Sequence, residues 1–467
     1  MPGVSGTRKE EMMGRADSNN LLTLLGSAWH GAFRKLIYPG LRLSYEGVCD
    51  CFLFSIFVLP SYFGIRMGFF DLTAFRLFEI FLLILIWKKQ TRREDFLRMI
   101  RKCPHTIYIL IYFAIVAVTN LYHPSISTIF YWLMNGVLVF FLVAYLVINE
   151  YGLEGFLRRI RFYTWFLCLI SPLELLIRRP PFSILDTLGK SNMAVRFGAI
   201  RVMGNCTTSN GYAMYLIVLL PFICYDIKTK HIDILKNIWL VLLLLLNVFL
   251  TGSRLSVGTG ILTLVLLVIM QDKRAALKFF LTVPLILPVV AAALYLLRET
   301  PFANSVLLAF FSAFDEIFNT SYAVNFGADP MLLYNSSHYR EVLVRETFGG
   351  NWLNPLVGRG GNYNFSMYVE GYFINSVDNF YVGQFITYAY PGLIAWLLMS
   401  ATFLVSAIRI FIRKHSFLMW AAVVSIICYF ISLWYLDQLQ TFPIMFAVFG
   451  LVYAAAVLYR REEMEKA

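Results

Sequence analysis

Apolar residues in this chain gather into long runs. Each is about 17–25 positions, the length an α-helix needs to cross roughly 30 Å of hydrocarbon at 1.5 Å per residue. The runs predict spans at 48–66, 71–87, 106–122, 127–148, 160–177, 209–226, 236–252, 255–271, 278–297, 379–408, 417–435 and 440–459. The tenth is longer than a crossing needs, so its start is expected outside the hydrocarbon. The pattern predicts an all-α, polytopic membrane protein of about 12 transmembrane helices. It divides into a tail (1–46), nine helices (47–297), one long loop (298–378), three helices (379–459) and a short tail (460–467).

Composition agrees. Of 467 residues, 59% are hydrophobic and 15% charged, against roughly 25% charged in soluble proteins. A net charge of +12 matters less than where the charges lie. Lys and Arg fill alternate loops, as at Arg92–Arg93, Arg158–Arg159, Lys228–Lys230, Lys273–Arg274, Arg413–Lys414 and Arg460–Arg461. Cytoplasmic loops carry such an excess, so both termini are expected inside. The basic 1–46 tail lacks a cleavable signal pattern, and 21–37 predicts a helix lying on the membrane surface. The seven cysteines show neither zinc spacing nor a disulfide framework. In the second span Arg76 and Glu79 are three apart, the spacing of a structural pair within the membrane.

The basic residues that break the inside rule carry the chemistry. Segment 178–208 holds Arg196 and Arg201 in a stretch of alternating polar and apolar residues that ends in the turn signal Gly204-Asn205. Gly189-Lys190-Ser191 looks like the end of a phosphate loop, but Ile184 stands where its earlier glycine belongs. Thr251-Gly252-Ser253-Arg254 joins two of the most apolar runs. Arg254 there is either a snorkelling helix end or an anion clamp, since guanidinium binds phosphate oxygens bidentately. The long loop holds His338, Arg340, Glu341, Arg345 and Glu346, then a glycine cluster at Gly358, Gly360 and Gly361. Arg340/Glu341 and Arg345/Glu346 read as ion pairs or as working groups, and His338 as a solvated residue or a base. Asp378, at the start of the tenth run, is a helix cap or a general base. Asp-x-Asp, HExxH and Walker motifs are absent, so neither metal nor nucleotide is expected, and no nucleic-acid partner.

Together these pieces resemble the O-antigen ligase and Wzy polymerase superfamily. Thr251–Arg254 looks like its TGSR turn, and Arg201–Gly211 like its arginine-led entry into a membrane helix. Arg340 with Pro355-Leu356-Val357-Gly358-Arg359-Gly360 resembles its outer loop. Asp378-Asn379-Phe380-Tyr381 with Tyr390-Pro391-Gly392-Leu393 resembles its last motif, with Asp378 where the ligases carry histidine. The resemblance spans roughly residues 190–400. It implies a GT-C-like glycosyltransferase of the bacterial inner membrane, active on the periplasmic face and needing no cofactor. Its donor would be an oligosaccharide on undecaprenyl diphosphate, with membrane lipid and a chain-length regulator as further partners. Arg196, Arg201, Arg254 and Arg340 would hold the diphosphate. Asp378, His338 or Glu341 would activate the sugar hydroxyl, and Tyr339, Trp352 and Tyr363 would stack sugars. The departure at Asp378 favours polymerisation of repeat units over ligation. A transporter or flippase of lipid-linked oligosaccharide is the reading from another class; it predicts internal repeats and interrupted helices, neither of which the sequence displays.

Overall fold

The computed structural model describes residues 44–466 apart from 69, 192, 197–198, 319, 351, 370–371 and 437–438. The surface helix expected at 21–37 lies outside the described residues. The chain is mostly helical, 74% helix with few strands, as the apolar runs predict.

Helix α1, Tyr45–Phe57, starts on Ser44, whose hydroxyl accepts the Gly47 N–H. It ends well before residue 66, the limit of the first apolar run. Pro60 is the cause, because the residue before a proline is pushed out of the helical region. The chain then turns into an antiparallel hairpin, β1 Gly64–Arg66 and β2 Asp71–Thr73, which leads directly into α2, Ala74–Lys88. Helices α3, Gln90–Lys102, and α4, Thr106–Tyr122, meet at 87°.

From Ile126 to Ile177 the backbone is helical over 52 residues. The run comprises α5 Ile126–Trp132, a π-helical segment Leu133–Leu138, α6 Val139–Leu146, a second π segment Val147–Tyr151, α7 Gly152–Ile170 and α8 Leu173–Ile177. A straight helix of that length would reach about 78 Å, more than twice the hydrocarbon thickness. Gly152 interrupts it at φ 65°, ψ 178°, a conformation open to glycine. That break falls between the two spans the sequence separates at 148 and 160.

A second hairpin, β3 Ala194–Arg196 and β4 Ala199–Arg201, precedes α9, Ser209–Cys224. The alternating stretch is therefore a real strand pair. Every residue of α9 except Asn210 is buried. Around it stand α10 Ile238–Leu250, α11 Arg254–Val268 and, later in the chain, α16 Phe417–Leu433. Next come α12 Lys273–Leu296 and α13 Pro301–Phe318. The long segment after 298 is not all surface loop: α13 is apolar and packs against α10 and α11. It continues as α14, Pro330–Gly349, and a third hairpin, β5 Met367–Val369 with β6 Tyr372–Ile374. These form a small core of their own around Val342, Leu343 and Ile374.

Helix α15, Phe380–Lys414, is broken at Ala389, whose φ of 55° and ψ of −163° lie outside helical space. Pro391 follows. The break leaves backbone groups that the glycine cluster satisfies. Arg359 N donates to Ile386 O (2.9 Å), Gly360 N to Thr387 O (3.0 Å), and Tyr390 N to Pro355 O (3.1 Å). Contact is so close that a Cβ on Gly358 would lie 2.1 Å from Thr387 O. The last helix, α17, Phe442–Lys466, packs along α6.

Three described helices are long and apolar enough to cross a membrane: 126–177, α15, and Phe442–Glu465 within α17. The bent pair α3–α4 makes a fourth if taken as one span, and α9, α11 and α16 are shorter apolar helices. Large apolar side chains face outward along several helices, among them Ile84, Leu110, Leu285, Val289 and Leu397. An apolar exterior on this scale marks an interaction with lipid rather than water. The protein is a membrane protein.

Candidate functional site

The segment after α8 is organised by Asp186. Its carboxylate accepts the backbone N–H groups of Leu188 (3.2 Å), Gly189 (2.8 Å), Lys190 (3.1 Å) and Ser191 (2.7 Å). Partial desolvation pushes the Asp186 carboxyl up, but these four donors outweigh it and hold it below the ordinary carboxylate range. The turn that looks like a phosphate loop thus wraps its own anion. It docks on the first hairpin: Lys190 Nζ meets Asp71 Oδ2 at 2.5 Å, Arg66 Nη2 donates to Leu188 O (2.8 Å), and Gly64 N donates to Thr187 Oγ1 (2.8 Å).

Arg201 and Arg254 come together at one turn. Arg201, at the end of β4, donates from Nε to Thr251 O and from Nη2 to Asn210 Oδ1, both at 2.6 Å. Its side chain lies against Gly252, where an added Cβ would come within 3.3 Å of Nε. Arg254 is the first residue of α11. A helix N-terminus carries partial positive charge, so an anion bound at this turn would meet both the guanidinium and the helix end. Arg196 ends β3, paired with Ala199; its side chain lies outside those described.

A second cluster gathers around Asp378. Asn379, not Asp378, caps α15, its Oδ1 accepting the Val382 N–H (3.1 Å). Asp378 is thereby left for other partners. Its carboxylate accepts the Ser376 hydroxyl at 2.8 Å and faces Arg340 Nη2 at 3.9 Å. Arg340 also lies 5.6 Å from the Tyr435 ring centroid. Arg345 does pair with Glu346, at 3.1 Å. His338 is half-buried on α14 and Glu341 is exposed.

A cavity of about 710 Å³ opens elsewhere, within the roughly 300–1,000 Å³ typical of ligand sites, and its described lining includes none of Arg201, Arg254, His338, Arg340, Glu341 or Asp378. Lys190 and Thr207 line it from the segment before α9. Gly360, Gly361, Tyr363 and Val377 line it from the segment before α15. The α16–α17 connection joins the walls: Gln440 Oε1 accepts Thr207 N (2.9 Å) and Thr207 Oγ1 (2.7 Å). Of the aromatic candidates only Tyr363 reaches the cavity. Trp352 donates to Glu346 O (3.0 Å) and packs with Tyr339 in the small core before α15. Burial, then the neighbouring Asp378 carboxylate, pushes the Tyr339 phenol above its ordinary value.

Arg76, Asn135 and Gln384 also line the cavity and are not among the residues the sequence marks as working groups. Arg76 does not pair with Glu79 as its spacing predicts. Its Nε and Nη2 donate to Asn135 Oδ1 (3.3 and 3.2 Å) and its Nη1 to Asp71 O. Asn135 is presented by the first π segment, a distortion that no hydrophobic periodicity reveals. Both carboxyl oxygens of Glu79 are buried without a hydrogen-bond partner. No protein-family model matches the chain, and no curated protein matches it significantly.

Proposed function

We propose that this chain is a polysaccharide polymerase of the bacterial inner membrane. It has about twelve spans in a GT-C-like arrangement, both termini in the cytoplasm and its working face in the periplasm. It moves a glycan from undecaprenyl diphosphate onto a sugar hydroxyl of a second lipid-linked repeat unit, without metal or nucleotide. The observation that carries this reading is Arg340 facing Asp378 at 3.9 Å at the start of an apolar helix, a cation for a leaving anion beside a carboxylate for a hydroxyl proton. In the reaction the hydroxyl oxygen bonds to the donor's anomeric carbon and its proton passes to Asp378. The bond from that carbon to the diphosphate oxygen breaks, and the diphosphate leaves. Arg201, Arg254 and Arg340 balance its charge. Preorganised charge of this kind often supplies most of the rate acceleration in an enzyme.

The test uses purified protein with lipid-linked repeat units and no nucleotide or added metal. A ladder of chain lengths supports the polymerase. Transfer to a separate acceptor, with no ladder, replaces it with a ligase. The break at Ala389 gives specific weight to a second reading, a flippase or transporter, because interrupted helices are a mark of such proteins. Movement of a fluorescent lipid-linked oligosaccharide across proteoliposomes, with no new glycosidic bond, would establish that reading and sink the first.

A further inference from the structure

We infer that the cavity is a subsite for an acidic sugar, with Arg76 holding its carboxylate. This rests on the polymerase reading only in taking the ligand to be a glycan. Among the described residues three charged ones line the cavity, Asp71, Arg76 and Lys190. Asp71 and Lys190 neutralise one another at 2.5 Å. The hydrogen bonds of Arg76 go to neutral oxygens, the Asn135 amide and the Asp71 main-chain carbonyl, while the carboxyl groups of Glu79 and Asp71 act on it only through space. Guanidinium has five N–H groups. Three make these hydrogen bonds, so two have no described partner, although the residue is only 8% exposed. A buried cation with spare donors favours an oxyanion. A purely structural Arg76, tying α2 to the π segment, would need no cavity in front of it.

The remaining lining suits a carbohydrate. Tyr131, Tyr363 and Tyr388 offer ring faces for sugar C–H groups, and Asn135, Gln384 and Gln440 offer amides for hydroxyls. These amides are held in place: Tyr112 OH donates to Gln384 Oε1 at 2.7 Å, and Thr207 fixes Gln440. The guanidinium is steadied by ring faces too, 5.7 Å from the Tyr131 centroid and 5.6 Å from that of Phe75. Such a site reads both the ring and the charge of its ligand.

The experiment is calorimetric titration of the full-length protein in nanodiscs with three probes: trigalacturonate, its carboxyl-reduced neutral counterpart, and inorganic pyrophosphate. We expect trigalacturonate to bind at least tenfold tighter than the neutral trimer. Arg76→Gln should erase the difference. Asn135→Asp, which neutralises the guanidinium in place, should do the same and guards against misfolding of the first variant. Equal binding of the two trimers, or an unchanged preference in both variants, overturns the inference. Competition by pyrophosphate that is lost in Arg76→Gln also overturns it, by making Arg76 part of a carrier-diphosphate site. Failure of the polymerase reading looks different: no ladder forms from lipid-linked units, while the preference for trigalacturonate persists.

Discussion

Charges that disobey their surroundings are the most legible residues. Arg254 and Arg201 stand out in the sequence as cations on the wrong side, and the fold brings them to one turn. Asp378 is legible as a residue at a helix start, but the cap is not, because Asn379 competes for that position and wins. Arg76 is misleading in the sequence. Its spacing from Glu79 points to a pair, yet its partner Asn135 is set by a π turn of another helix. On the polymerase reading, Arg340→Ala and Asp378→Asn should each slow chain growth about 100-fold or more, the usual loss for a preorganised charged group. Initial rates with lipid-linked substrate check this, and a near-normal rate for either variant removes that residue from the mechanism. Asp186→Ala should speed tryptic cleavage after Lys190 about tenfold, because a carboxylate's worth of backbone hydrogen bonds is lost. The held species is the anion, and its pKa is depressed. Protection should therefore be full at neutral pH, weaken progressively as pH falls into the ordinary carboxylate range, and be gone below the lowered value, as read with a protease active in acid. Protection that is lost while the pH is still near neutral, or that does not change in acid, would contradict this account.

At the scale of elements, apolar runs locate most helices to within a few residues. They fail where backbone chemistry overrides side-chain pattern. Pro60 cuts α1 short, and a hairpin takes residues that the apolar run assigns to a span. Ala389 divides α15, which the sequence marks only as overlong. Apolar helix α13 is hidden inside a segment that reads as loop, since its partners α10 and α11 lie well before it in the chain. The glycine cluster is expected to approach a ligand; its first glycine approaches the broken helix instead. Gly358→Ala should therefore lower the thermal midpoint by several degrees, because its Cβ would overlap the Thr387 carbonyl and separate loop from helix. Ala389→Gly should leave it unchanged or raise it. It removes strain of about 1–3 kcal/mol and restores roughly 0.5–1 kcal/mol of unfolded-state freedom. Melting curves in detergent decide both, and a Gly358→Ala protein as stable as the parent would show that the loop is not held there.

At the scale of the molecule, composition and charge placement make the class plain, a helical membrane protein. The cavity is not legible, because no local pattern reports the meeting of segments so far apart. Topology gives the matching prediction. With cysteines introduced at exposed Glu299 and Glu465, an impermeant maleimide added to intact cells should label the first and spare the second. Labelling of both, or of the second alone, would break the proposed orientation. The order of the walls along the chain has a consequence for biogenesis. The cavity begins at Ser61 and is closed by Gln440 and Pro443, at the threshold of α17. During synthesis the ribosome delivers the earlier walls first, so a nascent chain carries an unfinished pocket until its last helix inserts. The site therefore waits on α17, and a chain cut before Gln440 lacks part of the cavity wall.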